Sequence, residues 1–339
     1  MIMRVAVLVR SYDAPSHRIY REKVTRALEA LGIRIVSQRR WQLPPRDCDL
    51  VWDYGLGMRP IPIVLRKRSI PVVATFHGAR IFASVYQAEK EWALARIYHP
   101  WLRARLRRDA EWFRSVVAAL IVPSRYAAQE AAHVFGVPFE KIHVVPHGVD
   151  HRIFTPEGEC RVGERPYVLH IAGQNPMKNT ERVLAAYARL PESGRPDLVL
   201  ISPWDWRRSH VRGVRMIRRL LSQEELARWY RGALALVAPS LRETFGMALL
   251  EAMACGCPVI TSNRSGCAEV AGEAALLVDP HSVEEIAAAM WRVIEDQTLR
   301  AHLREQGIDR ARTFSWERTA AEHVRVFQSV LTGGSASPC

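Results

Sequence analysis

Short apolar runs alternate along the chain with longer stretches in which apolar positions recur every three or four residues. The short runs, bounded by polar or glycine residues, read as strands buried on both faces, and the longer period reads as amphipathic helix. In the first half, strands are expected at 4–9, 33–37, 50–53, 72–76, 120–122 and 142–145, with helices at 19–31, 100–119 and 127–135. Residues 154–166 carry Pro, Gly and charge without an apolar period and read as a linker. The alternation then restarts, with strands at 167–171, 198–201, 214–217, 233–237 and 258–261 and helices at 180–190, 222–230, 247–254, 283–296 and 316–331.

Strand–helix alternation of this kind builds a parallel sheet with helices on both faces. The chain has 339 residues, more than one core supports, since single cores stop growing at roughly 250–300 residues. The expected architecture is therefore α/β: two Rossmann-like, doubly wound domains facing across a cleft. Ligands in such sheets sit beyond the carboxyl ends of the strands.

Composition adds a direction to this picture. The net charge is +13, and residues 1–150 hold most of it, with 24 Lys and Arg against 13 Asp and Glu; residues 151–339 hold 24 against 22. A one-sided basic field points to an anionic partner for the first half: a membrane surface, a phosphorylated acceptor or a nucleic acid. No apolar run reaches the ~18–20 residues of a membrane span, and residues 5–9 are too short for a secretory signal, so a cytoplasmic protein is expected. The six cysteines are scattered and match neither a disulfide framework nor a zinc site.

The stretch from Ala238 to Gly256 bears the chemistry. A strand ends near Ala238 and a helix starts near Met247, so the backbone N–H groups at Phe245, Gly246 and Met247 lie at a helix N-terminus suited to phosphate. Gly246 lets a ligand approach the backbone closely. Glu243 lies in the loop and Glu251 on the helix, and carboxylates accept paired hydrogen bonds from vicinal hydroxyls such as those of ribose or a hexose. Lys178 stands at the mouth of a second helix after strand 167–171, near Gly173, with Asn179 placed to cap that helix. A point charge there suits a diphosphate.

The spacing Glu243 to Glu251 resembles the E-x7-E signature of retaining glycosyltransferase family 4, which has the GT-B fold. His147-Gly148-Val149-Asp150 with Phe154 is similar to the family's N-G-V-D-x-x-x-F entry to the second domain, with His in place of Asn. Lys178-Asn179 is similar to its R-K-N element, Pro280 follows a Leu-Leu-Val-Asp run, and Phe314-Ser315-Trp316 resembles the start of its closing helix. The resemblance implies a first domain at 1–153 that binds acceptor, a second at 154–315 that binds nucleotide sugar, and a closing helix at 316–332 that crosses back to the first.

The same resemblance implies roles. Glu251 would hold the ribose hydroxyls, Glu243 the transferred sugar and Lys178 the diphosphate. His77, at the end of strand 72–76, matches a histidine placed near the anomeric carbon, and the base is expected near Arg218. Catalysis would proceed with retention, and neither a metal nor a cofactor beyond the sugar nucleotide is expected. Two departures stand out: Gly173-Gln174 replaces a common Gly-Arg, and the loop after the first strand lacks glycine, leaving His17 or Arg18 to supply its contacts.

On the acceptor side, Trp101, Arg105, Arg108 and Trp112 share one face of the helix expected at 100–119. This face reads equally as a surface for lipid headgroups or an anionic glycan and as a solvated basic face with its tryptophans packed under a neighbour. The first reading implies a lipid-linked or envelope-polysaccharide acceptor and peripheral contact with the inner face of the membrane. Two competing functions are weaker. An oxidoreductase on a Rossmann fold would need G-x-G-x-x-G after a first strand, and neither half has it. A non-catalytic basic protein binding nucleic acid or an anionic glycan would fit the charge, but no nucleic-acid motif is present, so no nucleic-acid partner is expected.

Overall fold

The computed structural model describes residues 2–9, 15–39, 42–56, 70–78, 111, 115–161, 165–172, 176–203 and 211–333. The chain divides into two compact units, Met1–Gly148 with Trp316–Cys339, and Val149–Ser315.

In the first unit, six strands form one parallel sheet in the order β2-β1-β3-β4-β5-β6. They are β1 (Arg4–Val9), β2 (Arg34–Arg39), β3 (Leu50–Leu56), β4 (Val72–Phe76), β5 (Val117–Val122) and β6 (Ile142–Val144). Parallel strands covered on both faces need continuous apolar sequence, and all five residues of β4 are buried. Helix α1 (Pro15–Ala30) follows β1, and α2 (Arg125–Phe135) follows β5. Ser124 caps α2 by accepting from the Ala127 N–H at 3.0 Å. The closing helix, Trp316–Thr332, packs on α1. Tyr20 donates its hydroxyl to His323 Nε2 at 2.8 Å, and Thr319 donates to the Pro146 carbonyl at 2.8 Å.

The second unit holds a parallel sheet in the order β12-β11-β10-β7-β8-β9. Its strands are β7 (Tyr167–Ile171), β8 (Asp197–Ile201), β9 (Val214–Ile217), β10 (Leu236–Ala238), β11 (Val259–Ser262) and β12 (Leu276–Val278). Its helices are α3 (Thr180–Ala188), α4 (Gln223–Gly232), α5 (Met247–Ala254), α6 (Ser265–Ala271), α7 (Val283–Glu295) and α8 (Gln297–Arg312). The chain runs outward from β7 through β8 to β9, then returns to β7's other side as β10. The switch point of the sheet thus lies between β7 and β10, where the crevice of such folds opens.

Several expectations change. The helix expected at 100–119 stops short, because Val117 and Ala119 pair with Val72 and Val73 as part of β5; residues 79–110 and 112–114 lie outside the described residues. The strand expected at 233–237 narrows to β10, because α4 runs on to Gly232 and the Ala233 N–H still bonds back to Tyr230. Helices α6 and α8 and strand β12 have no counterpart in the alternation read from the sequence. Helix α8 is polar almost all round, burying only Leu303, Gly307 and Ala311, so it leaves little apolar period to read. The boundary expected after residue 153 falls at Gly148 instead. Val149 and Phe154 are buried in the second unit's core, and Val149 bridges to Ser315, so residues 149–154 fold with that unit.

Candidate functional site

The two strands at the second unit's switch point each feed a loop of the expected site. β10 ends at Ala238, and the following loop carries Glu243 into α5. That helix is nearly all apolar because it lies in the core, with Leu249, Leu250, Ala252, Met253 and Ala254 buried. It starts at Gly246, whose φ of 106° is a conformation side chains rarely adopt; a Cβ there would also lie 2.9 Å from Leu249 Cδ1. The first amides of α5 have no acceptor within the helix, and its dipole end is positive.

β7 leads towards a short 3-10 turn, Pro176–Lys178, and then α3. Lys178 Nζ donates to Glu243 Oε2 at 2.9 Å, with the two side chains 33% and 26% exposed, so the contact is half shielded from water. Glu243 beside it holds the Lys178 ammonium above its ordinary pKa. The turn and the loop are also tied through the backbone, with the Leu241 N–H donating to the Met177 carbonyl at 2.8 Å.

Asn179 corrects an expectation. It occupies the cap position of α3 but its side chain caps nothing. With φ at 62°, its amide turns the other way and donates to the carbonyls of Pro239 (2.9 Å) and Pro280 (2.7 Å). It is buried and joins the ends of three segments, which fixes where Lys178 emerges. His170 in β7 adds a second tie: Nδ1–H donates to the Val237 carbonyl at 2.7 Å and Nε2 accepts from the Thr180 hydroxyl at 2.9 Å. Burial pushes the pKa of His170 down to about 4, so it stays neutral.

Glu251, one turn into α5, is half-buried, and burial pushes its carboxyl up to about 7. The buried Tyr230 on α4 donates to Glu251 Oε2 at 3.4 Å, and this bond and the charge of Lys178 act in the opposite direction, lowering that pKa. Phe245 turns its ring into the core, T-shaped against Phe314 at 5.9 Å, so only its backbone is available to a ligand. Met247 is half-buried against the same core. Arg218 is exposed just past β9, while the adjacent Arg219 is held by both oxygens of Glu225. Gly173 lies outside the described residues, as do Trp101, Arg105, Arg108 and Trp112.

In the first unit, His77 follows β4 and both ring nitrogens are engaged. Nε2–H donates to the Tyr54 carbonyl at 2.7 Å, and Nδ1 lies 3.3 Å from His147 Nε2. Tyr20 packs edge-on against the His77 ring at 4.5 Å, and His17 lies 4.6 Å from it. Burial pushes His147 down to about 3, so this buried ring is neutral. Arg18 is exposed on α1.

Sequence reasoning missed Tyr230, His170 and the turn at Ser265–Gly266 beside Glu243. His170 sits in an apolar strand run that looks like ordinary core, and Tyr230 lies in a charged helical stretch between Arg228 and Arg231 that reads as an ordinary amphipathic face. The third had a faint signal in the Ser-Gly pair after strand 258–261, which is typical of a strand-to-helix turn.

Residues 4–153 match the family described as Glycosyltransferase Family 4, and residues 212–310 the family described as Glycosyl transferases group 1. MMP alpha-(1->4)-mannosyltransferase of Mycolicibacterium hassiacum is 31% identical over 320 residues, covering 88% of this chain and 73% of that protein. O-antigen chain mannosyltransferase B of Escherichia coli is 29% identical, over 76% of this chain and 70% of its own length. Among solved structures, sucrose-phosphate synthase from Thermosynechococcus elongatus superposes with a TM-score of 0.78 at 19% identity, covering 98% of this chain and all of that one, a likeness of fold. With two parallel α/β units, the E-x7-E spacing and relatives that match along most of its length, the chain belongs to glycosyltransferase family 4 and has the GT-B fold.

Proposed function

We propose that this glycosyltransferase moves a hexose from a nucleoside diphosphate sugar to an acceptor hydroxyl, with retention at the anomeric carbon. The observation that carries the reading is the convergence of Lys178 and Glu243, 2.9 Å apart, at the switch point of the second unit's sheet, with Glu251 one turn into the helix that follows. Glu251 accepts from the ribose hydroxyls, Glu243 from hydroxyls of the sugar, and Lys178 with the first amides of α5 meets the diphosphate.

In the reaction the bond from the anomeric carbon to the phosphate oxygen breaks and a bond to the acceptor oxygen forms on the same face. The acceptor's proton passes to the leaving phosphate. Negative charge therefore grows on the diphosphate, where a fixed ammonium and helix dipole stabilise it in place of a metal ion. His77, held through both ring nitrogens, serves as a fixed group rather than as a proton carrier.

The basic excess of residues 1–150 supports an anionic acceptor, either phosphorylated or lipid-linked, met at the inner face of the membrane. The relatives named for mannosyl transfer, one of them to an O-antigen chain, support a mannose-type donor and an envelope glycan as product. A thermal-shift screen of UDP-, GDP-, ADP- and TDP-sugars tests the donor half. One nucleotide class should raise Tm in the wild type and not in Glu251→Ala; equal shifts in both would reject the ribose role. The membrane half fails if vesicles rich in anionic lipid do not pellet the protein at low salt.

A further inference from the structure

Glu243 is held at three points. Its carboxylate accepts from Lys178, its backbone N–H donates to Ser265 Oγ at 3.3 Å, and its carbonyl accepts from the Gly266 N–H at 2.8 Å. The last two belong to the turn that opens α6, which comes from β11, the strand beyond β10 in the sheet.

The turn has a specific shape. Ser265 has φ at 61°, and among the described residues only one other non-glycine, Asn179 at 62°, has positive φ. Both flank the Glu243 loop: Asn179 ties it through the Pro239 carbonyl, and Ser265 ties it through the Glu243 N–H. Left-handed conformations are unfavourable for residues with a Cβ and persist where surrounding structure enforces them, often at functional sites. Gly266 completes the arrangement. A Cβ on it would lie 2.3 Å from the Thr244 carbonyl oxygen and 2.7 Å from the Phe245 nitrogen. Those are backbone atoms of the Glu243 loop, so neither could move aside without moving the loop itself.

We infer that Ser265 and Gly266 are positioning residues for Glu243: their turn is the template that sets where the sugar-reading carboxylate stands, separately from the nucleotide-reading Glu251. The inference rests on the sugar role given to Glu243 above. Its distinguishing consequence is a split between two ligands. Lys178 and Glu251 reach the site from the 3-10 turn and from inside α5, so a displaced Glu243 loop weakens recognition of the sugar more than that of the nucleoside diphosphate.

The test titrates intact enzyme with GDP-mannose and UDP-glucose, and with GDP and UDP, for the wild type, Ser265→Ala, Ser265→Asn and Gly266→Ala. Ser265→Ala removes the acceptor for the Glu243 N–H. Ser265→Asn keeps an acceptor and tolerates left-handed φ. Ser265→Ala should weaken the bound sugar nucleotide by about tenfold and the matching diphosphate by less than about threefold, with kcat/KM following the sugar nucleotide, whereas Gly266→Ala, whose Cβ also presses on the Phe245 nitrogen, should weaken the diphosphate as well. Ser265→Asn should recover most of the loss. Equal weakening of both ligands by Ser265→Ala, or no weakening of either, overturns the inference. Should Gly266→Ala not fold, the two Ser265 variants decide alone. A wild type that binds the diphosphate and neither sugar nucleotide contradicts the sugar role of Glu243 itself, and the inference falls with it.

Discussion

Lys178 and Glu243, 65 residues apart in sequence, meet at 2.9 Å where the loops after β7 and β10 converge. Neither strand neighbours the other in the chain. The sheet makes them adjacent, with Leu169 of β7 paired to Leu236 of β10, and the Leu241-to-Met177 backbone bond carries that adjacency out to the two loops.

Removing the cation should therefore affect both binding and turnover. Lys178→Ala leaves a half-buried carboxylate without its charge partner and, in the role proposed for Lys178, a leaving diphosphate without an ammonium. A loss of roughly a hundredfold to a thousandfold in kcat is expected, the scale of deleting one electrostatic stabiliser of a transition state. Steady-state kinetics with the donor found in the screen would measure it; a drop confined to KM would mean that Lys178 binds substrate and transition state alike.

Glu251 should give donor binding a pH dependence. Burial raises its pKa from 4.5 to about 7, so the folded protein binds this proton more tightly than the unfolded chain does. The stabilising contribution is complete below about 4.5 and lost as pH rises through about 7. Ionised, the carboxylate is the better acceptor for ribose hydroxyls, so donor affinity should climb across the same range. Glu251→Gln should flatten both curves, read by Tm and by titration between about pH 5 and 8.

Tyr230→Phe tests how Glu251 is oriented. It deletes one hydroxyl from a buried ring and leaves the packing of α4 intact. At 3.4 Å this hydrogen bond is long and weak, so its loss corresponds to about 0.5–1.5 kcal/mol, a severalfold weaker donor. The same variant should raise the Glu251 pKa further, shifting the affinity profile to higher pH. An unmoved profile would show that the tyrosine only packs.

The first unit should be acid-sensitive for a different reason. Burial depresses His147 to about 3 and His323 to about 4, whereas the unfolded chain protonates such groups near 6.5. The native state thus binds fewer protons, and stability present above about 6.5 is lost as pH falls towards about 4. His323→Gln removes one of these groups, so its Tm should fall less steeply between about pH 6.5 and 4.5 than that of the wild type. Equal slopes would place the acid sensitivity elsewhere.

Much of this was legible in the sequence, because local physics writes it there. Parallel strands such as β4 and β5 are buried on both faces and must be largely apolar, and amphipathic helices such as α7 repeat at about 3.6 residues. The strand–glycine–helix junction at Gly246 and the Glu243–Glu251 spacing are likewise local, and they pointed to the candidate site and to the family. Helix α8 escaped because it buries only Leu303, Gly307 and Ala311 and is otherwise held through arginines such as Arg300, Arg304 and Arg310 on backbone carbonyls, so it carries almost no apolar period. The tertiary structure alone decided which residues touch. That Lys178 pairs with Glu243, that Tyr230 steadies Glu251, that Asn179 ties the ends of three segments instead of capping α3, and that Gly266 must lack a side chain all follow from strand order and close packing. Those contacts span tens of residues, and neither periodicity nor local propensity encodes distances of that kind.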